Sequence, residues 1–174
     1  MVVYGIYMLK RNVNFLAVVF LGVIFGELTW SLAQQGKTKE LTAQDYTEIQ
    51  QLYARYNFAI DVNDAENMTA TFTDDGEFYN GSRVNGIGRD GILAFMHNRK
   101  LDMRRHWNTN LTITSTPGGA KGAVYLLLVD VGKQPPVILG AAKYDDTLVK
   151  TPKGWRFKKR VVNNEGPPAA GSLQ

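Results

Sequence analysis

The sequence contains no cysteine and only two histidines, His97 and His106. Without cysteine the chain can form no disulfide framework, no thiolate zinc site and no lipid-modified amino-terminal cysteine. Two histidines are also too few for a histidine-rich metal site, and we expect neither a metal nor a cofactor. The formal net charge is only +4, and the basic residues are scattered along the chain, so nucleic acid is not an expected partner.

The amino-terminal residues 1–33 have the pattern of a secretory signal peptide. Lys10-Arg11 precedes an apolar run over residues 15–25, and Ser31-Leu32-Ala33 places small residues at the two positions that a signal peptidase recognises. The run is shorter than the ~20 residues that span a bilayer, although an uncleaved anchor is an alternative. We expect cleavage after residue 33, a polar linker over residues 34–40 and an exported mature chain, periplasmic or secreted, without a membrane anchor.

The spacing of apolar residues predicts a long amphipathic helix over residues 42–64. Its apolar side chains recur at steps of three and four, which places them on one face: Ile49, Leu52, Tyr53, Tyr56 and Ile60. Thr42 lies three residues ahead of Asp45, an arrangement typical of a helix amino terminus, because the hydroxyl accepts from first-turn N–H groups. A carboxylate, Asp61, lies near the other end of the helix.

The elements after this helix predict a single α+β domain over residues 41–163. A short second helix over 64–72, a turn at Asp75-Gly76, a strand from 77 and a third helix within 86–99 come first. From Arg104 onward the apolar period changes to two, which predicts four consecutive strands separated by glycine- and proline-containing turns. We expect a cone-shaped, curved antiparallel sheet wrapped around the long helix, a pocket between them, and a flexible tail over residues 164–174.

Five segments, taken in order and with their spacing, resemble one known family: YARYNFAIDVND, FTDDGEF, GRDGILAFM, RHWNTNLTI and GWRFKKRVV. The family is the SnoaL-like branch of the nuclear-transport-factor-2-like superfamily, and the resemblance covers roughly residues 41–162. It implies an α+β barrel and a place among proteins that include polyketide cyclases, ketosteroid isomerase, scytalone dehydratase and hexachlorocyclohexane dehydrochlorinase. A lyase, dehydratase or isomerase that needs no cofactor is therefore the expected function.

The resemblance also implies a catalytic pair. Asp61 matches the aspartate that scytalone dehydratase and the dehydrochlorinase hold at the end of the first helix, and His106 matches the histidine that acts as the base in these lyases. Asn110 matches an asparagine in the dehydrochlorinase's similar H-x-x-x-N segment. The chain departs from the dehydrochlorinase at Tyr56, where that enzyme has a lysine, so the resemblance does not identify the substrate.

Acid–base chemistry supports the same pair independently. Imidazole accepts a proton near neutral pH, and a carboxylate on its other nitrogen fixes the tautomer and stabilises the imidazolium. We expect a closed pocket for a small hydrophobic molecule, with a few polar groups that orient it. The candidate substrate-binding residues are Tyr53, Tyr56 and Asn57 on the helix, Asn108 on the same strand face as His106, and Asn110.

Other interpretations of these residues are open. Asp61 could make a local turn with the residues that follow it, and His106 could be a core histidine with its hydrogen bonds satisfied. Tyr53 and Tyr56 could be core aromatics. The chain could then be a binding protein that holds a small ligand without converting it, or a purely structural dimer. We expect a homodimer packed sheet to sheet, because the outer face of such a sheet carries apolar residues.

Overall fold

The computed structural model describes residues 40–166. Within them lie three helices and six strands, named here in chain order: α1 (Ala43–Asp61), α2 (Ala65–Thr69), β1 (Phe72–Asn80), β2 (Arg83–Ile87), α3 (Gly88–His97), β3 (Arg104–Thr116), β4 (Gly119–Asp130), β5 (Val137–Thr151) and β6 (Gly154–Glu165). The predicted signal peptide, residues 34–39 of the linker and residues 167–174 of the tail lie outside this range. None of the three described helices is both long and apolar enough to cross a membrane.

The six strands form one sheet in the spatial order β2-β1-β6-β5-β4-β3. β1 and β6 are parallel, and the other neighbouring pairs are antiparallel. β3 is therefore an edge strand, and it lies beside α1. The predicted α+β class, with a curved sheet and an amino-terminal helix packed on it, is confirmed.

Helix α1 begins and packs as its sequence predicts. The hydroxyl oxygen of Thr42, the N-cap, accepts from the backbone N–H of Asp45, while the Asp45 carboxylate accepts from the backbone N–H of Thr42. The apolar residues predicted to face the core are all buried: Ile49, Leu52, Tyr53, Tyr56 and Ile60. The ring of Tyr56 makes edge-on contacts with a surrounding aromatic cluster: Phe72, Phe78, Tyr144 and Phe157. This cluster fixes α1 against the sheet.

The turn predicted at Asp75-Gly76 is wrong, because both residues lie within strand β1. The strand runs through both residues, and its register against β6 shifts between Phe72 and Glu77. A Cβ atom at Gly76 would lie 2.9 Å from the Cβ atom of Phe72, so glycine is needed here for close packing inside an irregular strand. Phe72 itself begins the strand, whereas the sequence placed it at the end of the second helix, which stops at Thr69.

Two further boundaries differ from the prediction. The range 86–99 predicted to hold the third helix begins too early, because Gly86 belongs to β2, a strand that the sequence did not predict. The chain instead changes direction at Gly88, whose φ of 68° is a conformation that favours glycine. At the other end, β6 continues to Glu165, which pairs with Ala141 on β5. Residues 164 and 165 therefore belong to the sheet and not to a flexible tail.

Candidate active site

A hydrogen bond joins the end of α1 to the start of β3. Asp61 is the last residue of α1, and His106 lies near the start of β3. The Nδ1 atom of His106 lies 2.6 Å from Oδ1 of Asp61, and the backbone N–H of His106 donates to the same oxygen at 3.1 Å. Each side chain is only 11% exposed. The fold thus brings together the two residues predicted as a pair, and their catalytic role stays a prediction.

This contact determines how the imidazole can act. Because the carboxylate of Asp61 accepts a hydrogen bond, the neutral ring of His106 carries its hydrogen on Nδ1 and leaves the Nε2 lone pair able to accept a proton. When Nε2 is protonated, the positive charge of the ring lies beside the negative charge of the carboxylate. The pair therefore has the components of a general base, an imidazole and a carboxylate that orients it.

The backbone, and not the Asp61 side chain, ends helix α1. Asn63 has a φ of 58°, its N–H donates to the carbonyl of Ile60, and the N–H of Asp64 donates to the carbonyl of Ala59. This is a Schellman-type ending with asparagine in the left-handed position, so α1 stops before the predicted residue 64. The alternative in which Asp61 only makes a local turn does not fit, because its carboxylate is bonded across the fold to β3.

A pocket of about 670 Å³ lies beside this pair, between α1 and β3. Its volume falls in the range of small-molecule sites. Four of the predicted substrate-binding residues line it together with Asp61 and His106: Tyr53, Asn57, Asn108 and Asn110. Tyr56 does not line it, because this side chain is fully buried in the aromatic cluster. Tyr56 is therefore not placed to touch a bound molecule.

The mouth of the pocket is open in the part of the chain that the structure describes. Phe58 and Val62 line the pocket and are 76% and 60% exposed. The closed pocket expected from the sequence is thus not formed by residues 40–166 alone. These side chains nevertheless give the pocket an apolar wall, which suits a hydrophobic molecule.

Two asparagines carry polar atoms that are shielded from solvent within the pocket. Both amide atoms of Asn108 and the Oδ1 atom of Asn57 have no hydrogen-bond partner among residues 40–166. Asn110 differs, because it is exposed and has a φ of 58° where the register between β3 and β4 shifts. Asparagine tolerates this left-handed conformation better than most residues, so local backbone geometry is sufficient to explain its presence there.

A buried ion pair that the sequence did not reveal lies behind Tyr53. Asp146 on β5 accepts from Nε and Nη2 of Arg160 on β6 at 2.8 and 2.7 Å, and both side chains are fully buried. The hydroxyl of Tyr53 donates to the same carboxylate at 2.5 Å. Burial, and then the charge of Asp146, raise the pKa of Tyr53. The phenol therefore stays protonated, and its hydrogen is committed to Asp146.

The remaining titratable side chains of interest lie away from the pocket. His97 is exposed at the end of α3 and does not contribute to the pocket lining. Asp74 and Asp75 are exposed residues of β1, and Lys158 pairs with Asp75 at 2.5 Å. No group of three His, Asp or Glu side chains within residues 40–166 has the arrangement of a metal site.

The chain is similar to a known domain family and to several solved structures. A family model for the SnoaL-like domain matches residues 41–161. A cystatin-like-fold protein of unknown function from Nostoc punctiforme is 25% identical over 76% of this chain and 99% of its own, with a TM-score of 0.68. An NTF2-like protein with a cystatin-like fold from Novosphingobium aromaticivorans is 25% identical over 75% of this chain and 90% of its own, with a TM-score of 0.65.

A scytalone dehydratase-like protein from Novosphingobium aromaticivorans is also similar. It is 23% identical over 70% of this chain and 84% of its own, with a TM-score of 0.60. A likeness at this level of identity shows the shared fold alone. No curated protein sequence matches the chain.

Proposed function

The chain belongs to the SnoaL-like domain family of nuclear-transport-factor-2-like proteins, and we propose that it is a lyase, dehydratase or isomerase that acts on a small hydrophobic molecule. The observation that carries the proposal is the 2.6 Å contact between Nδ1 of His106 and Oδ1 of Asp61 in the lining of an apolar pocket. A base within a pocket, oriented by a second group, is the arrangement that general-base catalysis requires.

In the proposed reaction His106 is the base. Its Nε2 atom takes a proton from a carbon next to an electron-withdrawing group such as a carbonyl, and the electron pair of the broken C–H bond moves into the substrate. The imidazolium of His106 then returns the proton, either to a leaving group that departs with its bonding electron pair as the carbon–carbon double bond forms, which completes an elimination, or to another carbon of the substrate, which completes an isomerisation. Asp61 keeps the hydrogen on Nδ1 and stabilises the imidazolium. These steps need no cofactor.

The proposal predicts that proton abstraction depends on the Asp61–His106 pair. Acetophenone in deuterium oxide is a simple probe, because its methyl protons lie next to a carbonyl and their exchange for deuterium is measured by NMR or mass spectrometry. His106→Ala should lower the protein-dependent exchange rate by on the order of 10²-fold or more, the usual contribution of a positioned base. Asp61→Asn should also lower the rate while leaving the fold largely intact, because the imidazolium loses its compensating charge and its fixed tautomer.

The other histidine provides the matched control. His97→Ala removes an exposed imidazole at the end of α3 and should leave the exchange rate unchanged. Thermal melting of all three variants separates a loss of catalysis from a loss of folding. Full exchange activity in His106→Ala would rule out the mechanism.

A second function, ligand binding without conversion, is favoured by the small number of acid–base groups in the pocket. The hydroxyl of Tyr53 is committed to Asp146, and Tyr56 lies outside the pocket, so neither is available as a second catalytic group. A binding protein would hold a molecule that co-purifies or raises the melting temperature and is recovered unchanged after long incubation. Chemical conversion of the same molecule would favour the enzyme.

We also propose that the chain is exported by means of residues 1–33. The proposal is supported by Lys10-Arg11, the apolar run after it and the small residues that end the segment. Amino-terminal sequencing of protein recovered from the periplasm or the medium should then find Gln34 as the first residue. Recovery of the intact chain from the cytosol would contradict this localisation.

A further inference from the structure

A second pocket, of about 550 Å³, is lined by residues of α1, of α2 and its flanks, and of the turn and strand that follow β5. Of residues 40–166, only Phe58 and Val62 line both this pocket and the one beside the catalytic pair. Neither Asp61 nor His106 is among the described residues of its lining. The second pocket is therefore separate from the candidate active site, and its side chains have a different chemistry.

Three positively charged side chains line this second pocket. They are Arg55 on α1, Lys153 in the turn between β5 and β6, and Arg156 on β6. Arg55 and Lys153 are exposed and Arg156 is half-buried, so a molecule in the pocket can reach all three. None of them forms an ion pair with a carboxylate of residues 40–166. Arg156 donates one hydrogen bond, from Nη1 to the neighbouring carbonyl of Trp155 at 2.8 Å.

The nearby carboxylates do not neutralise these three charges. Asp64 lines the same pocket, but its oxygens accept from the backbone N–H and the side-chain amide of Asn67 at 3.1 and 2.7 Å. Two further carboxylates lie in a neighbouring groove that shares two of the cations. Of these, Asp75 pairs with Lys158, and Asp74 forms no ion pair within residues 40–166. The second pocket thus has three positive side chains against one negative side chain.

The two arginines are close enough for their charges to interact. Burial, and then the charge of Arg55, lower the pKa of Arg156. Two guanidinium groups that approach one another without a carboxylate between them repel, which lowers the stability of the fold. An anion bound between them would offset the repulsion. Guanidinium groups are also well suited to this ligand, because their planar N–H groups donate paired hydrogen bonds to carboxylate, sulfate or phosphate oxygens.

The same pocket has an apolar side. Phe58 and Val62 line it and are 76% and 60% exposed, and Ala59 and Ala70 line it as well. Large exposed apolar side chains rimmed by polar groups are typical of ligand-binding grooves. The volume also lies in the range of sites that bind organic molecules. An occupant that matches the whole pocket therefore combines a negative charge with an apolar part.

We propose that the second pocket binds an organic oxyanion, that is, a sulfate, phosphate or carboxylate group joined to a small apolar body. The three cations hold the oxyanion group, and Phe58 and Val62 contact the apolar body. The proposal does not depend on the proposed function, because the second pocket contains neither member of the Asp61–His106 pair.

Calorimetric titration of hexyl sulfate into the full chain at low ionic strength tests the proposal. Arg55→Gln and Arg156→Gln should each weaken binding by about fivefold or more, because each removes charge-assisted hydrogen bonds to the sulfate group. Inorganic sulfate should bind about tenfold or more weakly than hexyl sulfate, because it buries no apolar surface. Added sodium chloride should weaken the binding of both anions.

Two arginine-to-glutamine controls test the position of the site. Arg83→Gln changes an exposed arginine on β2 and should keep the wild-type affinity for hexyl sulfate. Arg105→Gln changes an arginine that lines the pocket beside the catalytic pair and should keep it as well. If affinity is lost in Arg105→Gln and kept in Arg55→Gln, the anion binds in the other pocket and the inference is overturned.

Thermal melting separates anion binding from structural support. Without ligand, Arg55→Gln should melt at or above the wild-type temperature, because the repulsion between the two arginines is removed. Hexyl sulfate should raise the melting temperature of the wild type and of Arg83→Gln by more than that of Arg55→Gln. An Arg55→Gln variant that melts below the wild type and binds hexyl sulfate as tightly would overturn the inference. Equal affinity for hexyl sulfate and inorganic sulfate, or no measurable binding of hexyl sulfate at millimolar concentration, would do the same.

Discussion

Arg160 is held in the core by one carboxylate and by the faces of several aromatic rings. Asp146 accepts two of its hydrogen bonds, and its guanidinium carbon lies 3.9 to 4.1 Å from ring centroids of the surrounding cluster: Phe157, Tyr56 and Tyr144. Burial by itself would lower the pKa of Arg160, but the charge and hydrogen bonds of Asp146 raise it. The side chain therefore stays charged, and each of the two buried charges is stabilised by the other.

This dependence predicts the effect of removing one partner. Arg160→Met should lower the free energy of unfolding by about 3–5 kcal/mol, because it leaves Asp146 buried without its counter-charge. Combining Arg160→Met with Asp146→Leu should cost less than the single change, since no unpaired charge remains in the core. Urea denaturation at neutral pH measures both values.

The neighbouring lysine is a suitable control for this experiment. Lys159 is partly exposed and pairs with Glu77 at 3.2 Å, so Lys159→Met should change the free energy of unfolding by less than about 1 kcal/mol. If the double variant is no more stable than Arg160→Met alone, the cost does not come from the unpaired carboxylate.

The burial of Arg160 could not be predicted, because a bulge in β6 changes which of its side chains face the core. Leu148 on β5 pairs with Phe157, but the next residue toward the amino terminus, Thr147, pairs with Lys159. Lys158 is therefore an extra residue, and Phe157 and Arg160 face the same side of the sheet although they are three positions apart. Strict alternation would place Arg160 on the opposite face from Phe157. The sequence carries no local signal for this shift.

Among the elements, helix α1 is attached to the sheet at its amino terminus through Asp45. The carboxylate accepts from Nζ of Lys150 on β5 at 2.7 Å and from Nε1 of Trp155 on β6 at 3.0 Å. Lys150 first, and then Thr42 and Trp155, hold the pKa of Asp45 well below its usual range. The cap formed by Thr42 could be predicted because it is local, whereas the two partners on the sheet lie 105 and 110 positions away.

Asp45 should therefore make the fold sensitive to acid. Because its pKa is lower in the folded than in the unfolded chain, its contribution to stability is complete above the unfolded value, about pH 4, and is lost as the pH falls from there through the folded value. Asp45→Asn should lower the free energy of unfolding by about 1–3 kcal/mol at pH 7. The variant should also show a shallower loss of stability below about pH 4.

Urea denaturation at a series of pH values tests this expectation. Asp90→Asn, which changes an exposed carboxylate in the first turn of α3, serves as the control and should keep the acid response of the wild type. The same steepness of acid destabilisation in wild type and Asp45→Asn would show that Asp45 is not the group responsible.

At the scale of the whole molecule, the sequence predicted the fold better than it predicted the pocket. Helical spacing and strand alternation are local signals, so the order of the elements followed from the sequence except for β2, which was not predicted, and the five segments indicated the family. The pocket wall was harder to predict, because Tyr53 and Tyr56 share the same helical face. Which of the two contributes to the pocket depends on where β3 lies beside α1. The open mouth of the pocket could not be predicted either, because it depends on how α1 and β3 pack against each other.

The outer face of the sheet bears on how the molecule associates. On this face Trp107 of β3 pairs with Leu127 of β4, and Thr109 pairs with Tyr125. Trp107 and Tyr125 are 53% and 45% exposed, and large apolar side chains that are exposed on one face of a sheet favour association. We therefore predict a homodimer packed through this face, as the sequence also suggested.

Light scattering at micromolar concentration should report the mass of two chains. Tyr125→Lys should shift the mass to that of one chain, because a charge buried in the interface without a partner costs several kcal/mol. Tyr46→Lys is the matched control, since Tyr46 is a similarly exposed tyrosine, at 42%, but lies on α1, and it should leave the dimer intact. A monomeric wild type would contradict association through the sheet, and a dimer that survives Tyr125→Lys would place the interface on another surface.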